Sequence, residues 1–236
     1  MIYAGILAGG IGRRMQRADL PKQYLMLGKK PIFIHTLEQF LIHPEVNRIL
    51  IAVPQEWIAY TKDCLRKYLP NLKEIYVIAG GADRNDSLMC ILRFIQEQWE
   101  LKEEDVIISH DAIRPFVSQR ILSDNIRAAE HFDAIDTVIP AFDTIVESKD
   151  GKEISNIPDR SEMYQGQTPQ TFRAMRLKEL YESLDEKQKS ILTDAAKIFV
   201  IKGLPVALVP GDSSNMKITT PYDLRVASAL IESEDK

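Results

Sequence analysis

Apolar runs and amphipathic segments alternate along the first half of the chain. Ile2–Leu7, Arg48–Val53, Glu74–Ile78, Val106–Ser109 and Thr137–Ala141 are short, nearly continuous apolar or β-branched runs. That is the pattern of strands buried on both faces. Helix-period segments lie between them. Pro31–Leu41 opens on a proline, which suits a first helical position. Trp57–Tyr68 follows. Asn85–Trp99 brings Leu88, Ile91, Leu92, Ile95 and Trp99 to one face. Ser118–His131 gathers Leu122, Ile126 and Ala129, with Ser118 as its N-cap. Later come a return segment at Gln167–Gln170, a helix from Arg173, a strand at Pro205–Val209 and a terminal helix at Pro221–Ile231. The order predicts an α/β fold: one domain over 1–236, with a Rossmann-like, mostly parallel sheet and helices on both faces.

The rhythm breaks between Asp143 and Gln165. Thr144–Glu147 is β-prone, Lys149–Lys152 holds a turn glycine, and Glu153–Ile157 reads as the return strand. A lone two-stranded hairpin is marginal in water. The arm over 143–165 is therefore either laid on a second surface, which makes it a dimerisation arm, or a solvated surface hairpin.

Composition changes this picture only at the edges. The chain has 236 residues and 45% hydrophobic content, enough for a sizeable core. A net charge of −4 argues against a generic nucleic-acid binder. The two cysteines, Cys64 and Cys90, read as reduced thiols, and no Cys/His cluster has zinc spacing. No apolar run reaches membrane-spanning length, and Met1 leads straight into a strand. No membrane partner and a cytoplasmic location are the expectation.

The candidate chemistry sits at strand ends. After the first run comes Leu7-Ala8-Gly9-Gly10-Ile11-Gly12-Arg13-Arg14-Met15, then Pro21-Lys22-Gln23. Closely spaced glycines expose backbone N–H groups, and Arg13, Arg14 and Lys22 add positive charge, so the segment reads as a phosphate cradle. It matches neither the Walker nor the dinucleotide spacing, and the basic residues suit a triphosphate. The glycines alone would also fit a tight turn. Asp111 follows the run Val106–Ile108; a carboxylate there can hold Mg²⁺ together with substrate phosphates, or cap a turn. His110 beside it is read as structural. The glycine loop, Gly80-Gly81 and His110-Asp111 all follow strands, so they converge on one sheet edge.

These segments resemble the sugar nucleotidyltransferases, and most of all the cytidylyltransferases acting on methylerythritol phosphate or ribitol phosphate. The resemblance implies a nucleotide site at Leu7, Ala8, Gly9, Gly10, Gly12, Arg13, Gly80, Gly81, Arg84, Ser87 and Ala112. Within it, Gly80–Ser87 would be the turn that recognises cytosine. It implies Arg14, Lys22 and Lys217 as catalytic cations and Asp111 as the Mg²⁺ ligand. Arg114, Thr193 and Asp194 would lie near the acceptor, with Thr144 and Arg160 reaching it across a homodimer. Lys217 reads otherwise as a surface lysine in a strand. The implied reaction joins CTP to a polyol phosphate and releases pyrophosphate. Ile113 and the lead Tyr164-Gln165-Gly166 into Gln167-Thr168-Pro169-Gln170 are similar to the ribitol phosphate branch of teichoic acid and cell-wall synthesis. That branch implies a functional link to a reductase that produces ribitol phosphate. Methylerythritol phosphate is the alternative acceptor. A non-catalytic nucleotide-binding subunit is a further alternative, against which the presence of Arg14, Lys22, Asp111 and Lys217 argues.

Overall fold

A computed structural model describes residues 1–10, 20–70 and 74–234. Gly12, Arg13 and Arg14 lie outside the described residues. In chain order the elements are β1 (Ile2–Leu7), β2 (Met26–Leu27), β3 (Lys30–Pro31), α1 (Ile32–Leu41), β4 (Arg48–Val53), α2 (Ile58–Tyr68), β5 (Ile75–Ala79), α3 (Arg84–Trp99) and β6 (Val106–Asp111). Then follow α4 (Gln119–Ala128), β7 (Ala134–Pro140), β8 (Tyr164–Arg173), α5 (Ala174–Glu182), α6 (Glu186–Ser190), α7 (Ala196–Ile201), β9 (Ala207–Pro210) and α8 (Pro221–Glu234).

Seven strands form one sheet in the order β5-β4-β1-β6-β8-β7-β9, and β2 pairs with β3 apart from it. β1 lies between β4 and β6 with all three parallel, and β5 extends the parallel set. The predicted, mostly parallel sheet is thus present. Alternate residues of each central strand feed opposite layers. Tyr3, Leu50 and Ile107 pack with Leu88, Ile91 and Leu92 of α3 and Leu177 of α5. Ala4, Ile6, Ile51 and Ile108 pack with Phe33 and Leu37 of α1 and Ile121 and Leu122 of α4. Both faces being covered is why these strands read as continuous apolar runs.

The sequence did not reveal β8 as a strand. It runs antiparallel to both β6 and β7. Its glutamines Gln165, Gln167 and Gln170 give no apolar run to mark a strand, and Pro169 cannot donate to a ladder. The β7–β8 register shifts between Asp136 and Val138, and there the Thr137 hydroxyl donates to the Pro169 carbonyl at 2.6 Å. Side chains thus replace missing ladder bonds, as at a bulge. Asn125 of α4 completes the buried cluster, donating to the Thr137 hydroxyl (2.9 Å) and accepting from the Thr171 hydroxyl (3.0 Å).

The other differences are local. Ser118 caps α4 as expected, accepting from the Ile121 N–H. Pro31 is the N-cap of α1 and not its first residue. β7 begins at Ala134, three residues before the expected start. The arm forms no two-stranded ladder: Glu147 and Asn156 make a single antiparallel bridge. Asp150 and Ser148 hold the turn between them by local hydrogen bonds. Phe142, Val146, Ile154 and Ile157 are exposed around it. Among the described residues no helix is long and apolar enough to cross a membrane.

Candidate active site

The parallel strands β1, β5 and β6 end at one edge of the sheet, with β4 between β5 and β1, and the loops after the three line one cavity of about 350 Å³. β1 contributes Leu7, Gly9 and Gly10; Lys22 projects into the same space. A Cβ on Gly10 would stand 3.8 Å from Lys22 Cε, so the lysine stem lies against the glycine loop. Beyond β5 come Gly81, Ala82 and Asp83 and the first turn of α3, with Arg84 and Ser87. β6 contributes Asp111, and Lys217 lines the cavity beside it. Residues separated by two hundred positions thus meet at one sheet edge, as the strand order requires. A larger cavity of about 730 Å³, lined by Lys30, His35 and Glu38, holds none of these groups.

The loop after β5 is shaped by its own hydrogen bonds. Asp83 caps α3 by accepting from the Asp86 N–H at 2.9 Å. The Ser87 hydroxyl donates to the Asp83 carbonyl (2.8 Å) and accepts from the Gly81 N–H (3.1 Å). Ser87 therefore staples the loop, and its one hydroxyl hydrogen is used there. A Cβ at Gly81 would lie 2.8 Å from the Asp86 carbonyl carbon, so only glycine allows this close approach. The predicted recognition turn is accordingly a short loop, Gly80–Asp83, followed by helix from Arg84.

Asp111 is the electrostatic centre. It is the last residue of β6, extending the strand two positions past the expected end. Lys217 Nζ lies 2.8 Å from its Oδ2, Arg114 Nε 3.6 Å from the same oxygen, and Arg84 Nε 3.4 Å from Oδ1. Burial alone would raise its pKa; Arg84, Lys217 and Arg114 more than offset this and hold the carboxyl well below its usual range. Three cations around one carboxylate leave a surplus of positive charge facing the cavity. A polyanion is the ligand that such a surplus suits. Lys217 is not in a strand: it lies in an irregular segment fixed by the Ile218 N–H on the Ile113 carbonyl (2.9 Å). The neighbouring Asn215 carbonyl accepts from Arg114 Nη1 (2.7 Å), and the Asn215 amide donates to the Thr168 carbonyl (2.8 Å). Ala112 is buried, its N–H donating to the Leu7 carbonyl (3.1 Å), which ties β6 to the glycine loop.

A second, smaller cavity of about 170 Å³ shares Arg84, Asp111 and Lys217 with the first and continues past Arg114 to Gln170, Thr193 and Asp194. Three of the expected acceptor residues are therefore brought together. Thr144 and Arg160 line neither cavity. Both are exposed on the arm side, where Arg160 Nη1 donates to the Phe142 carbonyl at 3.1 Å. Asp136 and Gln170 were not anticipated. A lone carboxylate inside the run Ala134–Pro140 is the signal that could have singled out Asp136. Burial pushes its carboxyl up to about 6; the bond from Gln170 opposes the rise and the nearby Asp194 adds to it.

The sheet, its loop cluster and the cation-rich cavity define an α/β nucleotidyltransferase. The family model for IspD, 2-C-methyl-D-erythritol 4-phosphate cytidylyltransferase, matches residues 2–233, and the chain belongs to this family. It is a cytidylyltransferase. It is similar to the solved 4-diphosphocytidyl-2C-methyl-D-erythritol synthase of Anaerococcus prevotii, with 28% identity over 98% of this chain and 96% of that one, and a TM-score of 0.81. The Francisella tularensis 2-C-methyl-D-erythritol 4-phosphate cytidylyltransferase gives 28% identity over 97% and 98% of the two chains, with a TM-score of 0.81. The Thermus thermophilus enzyme of the same name gives 26% over 98% and 100%, with a TM-score of 0.75.

His110 is structural, as expected. It is fully buried; Nε2 donates to the Arg114 carbonyl (3.1 Å) and Nδ1 accepts from the Thr168 hydroxyl (3.0 Å). Burial pushes its pKa down to about 4. The folded state thus binds fewer protons than the unfolded state, whose His titrates near about 6.5. The resulting stability is present above that pH and is lost as pH falls toward 4. Urea unfolding should show the advantage of the wild type over His110→Gln shrinking by about 2–3 kcal/mol between about pH 7.5 and about pH 4.5. A constant difference would contradict a buried neutral imidazole.

Proposed function

We propose that the chain transfers the cytidylyl group of CTP to a short polyol phosphate, D-ribitol 5-phosphate in our reading, releasing pyrophosphate. The observation that carries the reaction class is the cation cage on Asp111 at the mouth of a glycine-lined cavity. An acceptor phosphate is largely dianionic at neutral pH, its second pKa being about 6, so it needs no general base. Its oxygen forms a bond to the α-phosphorus as the bond to the bridging oxygen of pyrophosphate breaks. The protein's task is to hold two anions in line and to neutralise charge on the leaving group. Lys22 and Lys217 suit this task, since both line the cavity, Lys22 against the glycine loop and Lys217 against Asp111. Backbone groups of Gly80–Asp83 suit a cytosine edge.

Mg²⁺ fits the donor set. Among the described residues no three His, Cys, Asp or Glu gather into a metal cluster. A single strand-end carboxylate is nevertheless what Mg²⁺ needs when triphosphate oxygens complete its shell. Asp111 would hold it, and the ion would supply further neutralisation of phosphate charge.

The acceptor has two readings. The matched family and the solved relatives carry methylerythritol phosphate in their names, which favours that acceptor. Ile113 and Tyr164-Gln165-Gly166 favour ribitol phosphate through the resemblance of those segments. A homodimer through the 143–165 arm belongs to the same proposal, with a cytoplasmic location. The support for the dimer is that Phe142, Val146, Ile154 and Ile157 are exposed while Arg160 and Thr144 stand outside their own subunit's cavities.

Pyrophosphate release from a panel of nucleoside triphosphates tests the reaction. CTP should exceed ATP and GTP by about 10³-fold or more, because unpaired polar groups reject the wrong base. Ribitol 5-phosphate should exceed methylerythritol 4-phosphate as acceptor; the reverse order would establish the second reading, and no release with either acceptor would contradict the function. Subunit exchange tests the arm. A Lys22→Ala chain mixed with an Arg160→Ala chain should regain activity, because the heterodimer then holds one intact site. No recovery despite proven exchange would remove Arg160 from the partner's site.

A further inference from the structure

The acceptor end of the site contains a carboxylate with no role so far. Asp136 lies on β7, just before the register shift against β8, with Oδ1 accepting from Gln170 Nε2 at 3.1 Å. It lines an open cavity of about 420 Å³ with Thr193 and Asp194. Those two residues also line the smaller cavity that begins at Asp111 and Lys217, so the two spaces adjoin. Gly166 borders the smaller one, and a Cβ there would stand 3.7 Å from Asp136 Oδ2. With hydrogen in that place, nothing from residue 166 screens the carboxylate. A second observation points to a ligand. Gln170 lines the same cavity, is only 1% exposed, and its buried Oε1 has no hydrogen-bond partner. Buried polar atoms without partners are uncommon in a finished structure and call for an explanation.

We propose that Asp136, oriented by Gln170, accepts hydrogen bonds from the hydroxyls at the far end of the polyol acceptor and so selects a long, unbranched chain. This rests on the polyol phosphate reading above. A phosphate placed near Lys217 would direct the carbon chain along Arg114, Gln170 and Thr193 toward Asp136. Each hydroxyl is a donor, and a carboxylate is an acceptor with capacity to spare. A ligand lacking the distal hydroxyls leaves that capacity unmet, which is how a polar site discriminates by omission. Asp136 is on this account a specificity residue that takes no part in the transfer itself.

A ligand-truncation cycle tests this. Steady-state cytidylyl transfer is measured with ribitol 5-phosphate, whose distal hydroxyls would meet Asp136 on this proposal, and with glycerol 3-phosphate, which lacks them. In the wild type kcat/KM should be higher for the longer acceptor. In Asp136→Asn, which keeps the shape, and in Asp136→Ala, that preference should fall by about tenfold or more, through the acceptor's KM. The KM for CTP reports on correct folding in both variants and should stay within about twofold. If Asp136→Ala does not fold, Asp136→Asn decides. An unchanged length preference in a variant with normal CTP affinity overturns the role of Asp136 and leaves the acceptor reading standing. No turnover of either acceptor by the wild type overturns that reading, and this proposal with it.

Discussion

A carboxylate buried at the end of a central strand must be compensated, and Asp111 is compensated by three cations from three separate parts of the chain. Arg84 comes from the first turn of α3, Arg114 from the loop after β6, and Lys217 from the segment before α8. Burying an uncompensated charge would cost several kcal/mol. The cage therefore ties the correct assembly of distant segments to the formation of the site. It also overshoots: three cations meet one carboxylate, and Lys217, the most exposed of them, faces the cavity. A structural ion pair would have been closer to balance.

The rest of the fold can be understood as support for that arrangement. β1, β4 and β6 are covered on both faces, so their ends are fixed by packing on either side. Ala112 joins β6 to the glycine loop, and Ile218 joins the Lys217 segment to Ile113. His110 is neutral and wedged between Thr168 and the Arg114 carbonyl, which sets the turn that carries Arg114. The Thr168 hydroxyl also accepts from the Asp111 N–H at 3.2 Å, where the ladder to β8 has ended. Rigid strands with polar clasps at their ends are what an enzyme needs when its chemistry is mostly positioning.

Much of this was legible in the sequence, for stated physical reasons. Strands buried on both faces advertise themselves as apolar runs, and β1 and β4 lie where the runs place them. Loops after parallel strands share an edge, which brings Gly9, Gly81 and Asp111 together. β8 escaped because its interior is Gln, Thr and Pro, held by buried side-chain hydrogen bonds that no periodicity expresses. The arm was overread as a strand pair: two β-prone runs suggested a hairpin ladder, and the structure has one bridge, between Glu147 and Asn156. Asp136 was missed because it is a single charged residue inside a largely apolar strand. Its position beside Gln170 and Gly166 depends on a pairing that the sequence does not display.

The most direct measurement is pyrophosphate release by Asp111→Asn, run beside a far-UV spectrum of the same sample. The substitution keeps the shape of the side chain and removes the charge on which the cage is centred. The account predicts turnover lowered by about 10²-fold or more with secondary structure retained. Turnover within about tenfold of the wild type would contradict it, and would make the cage a device of folding alone.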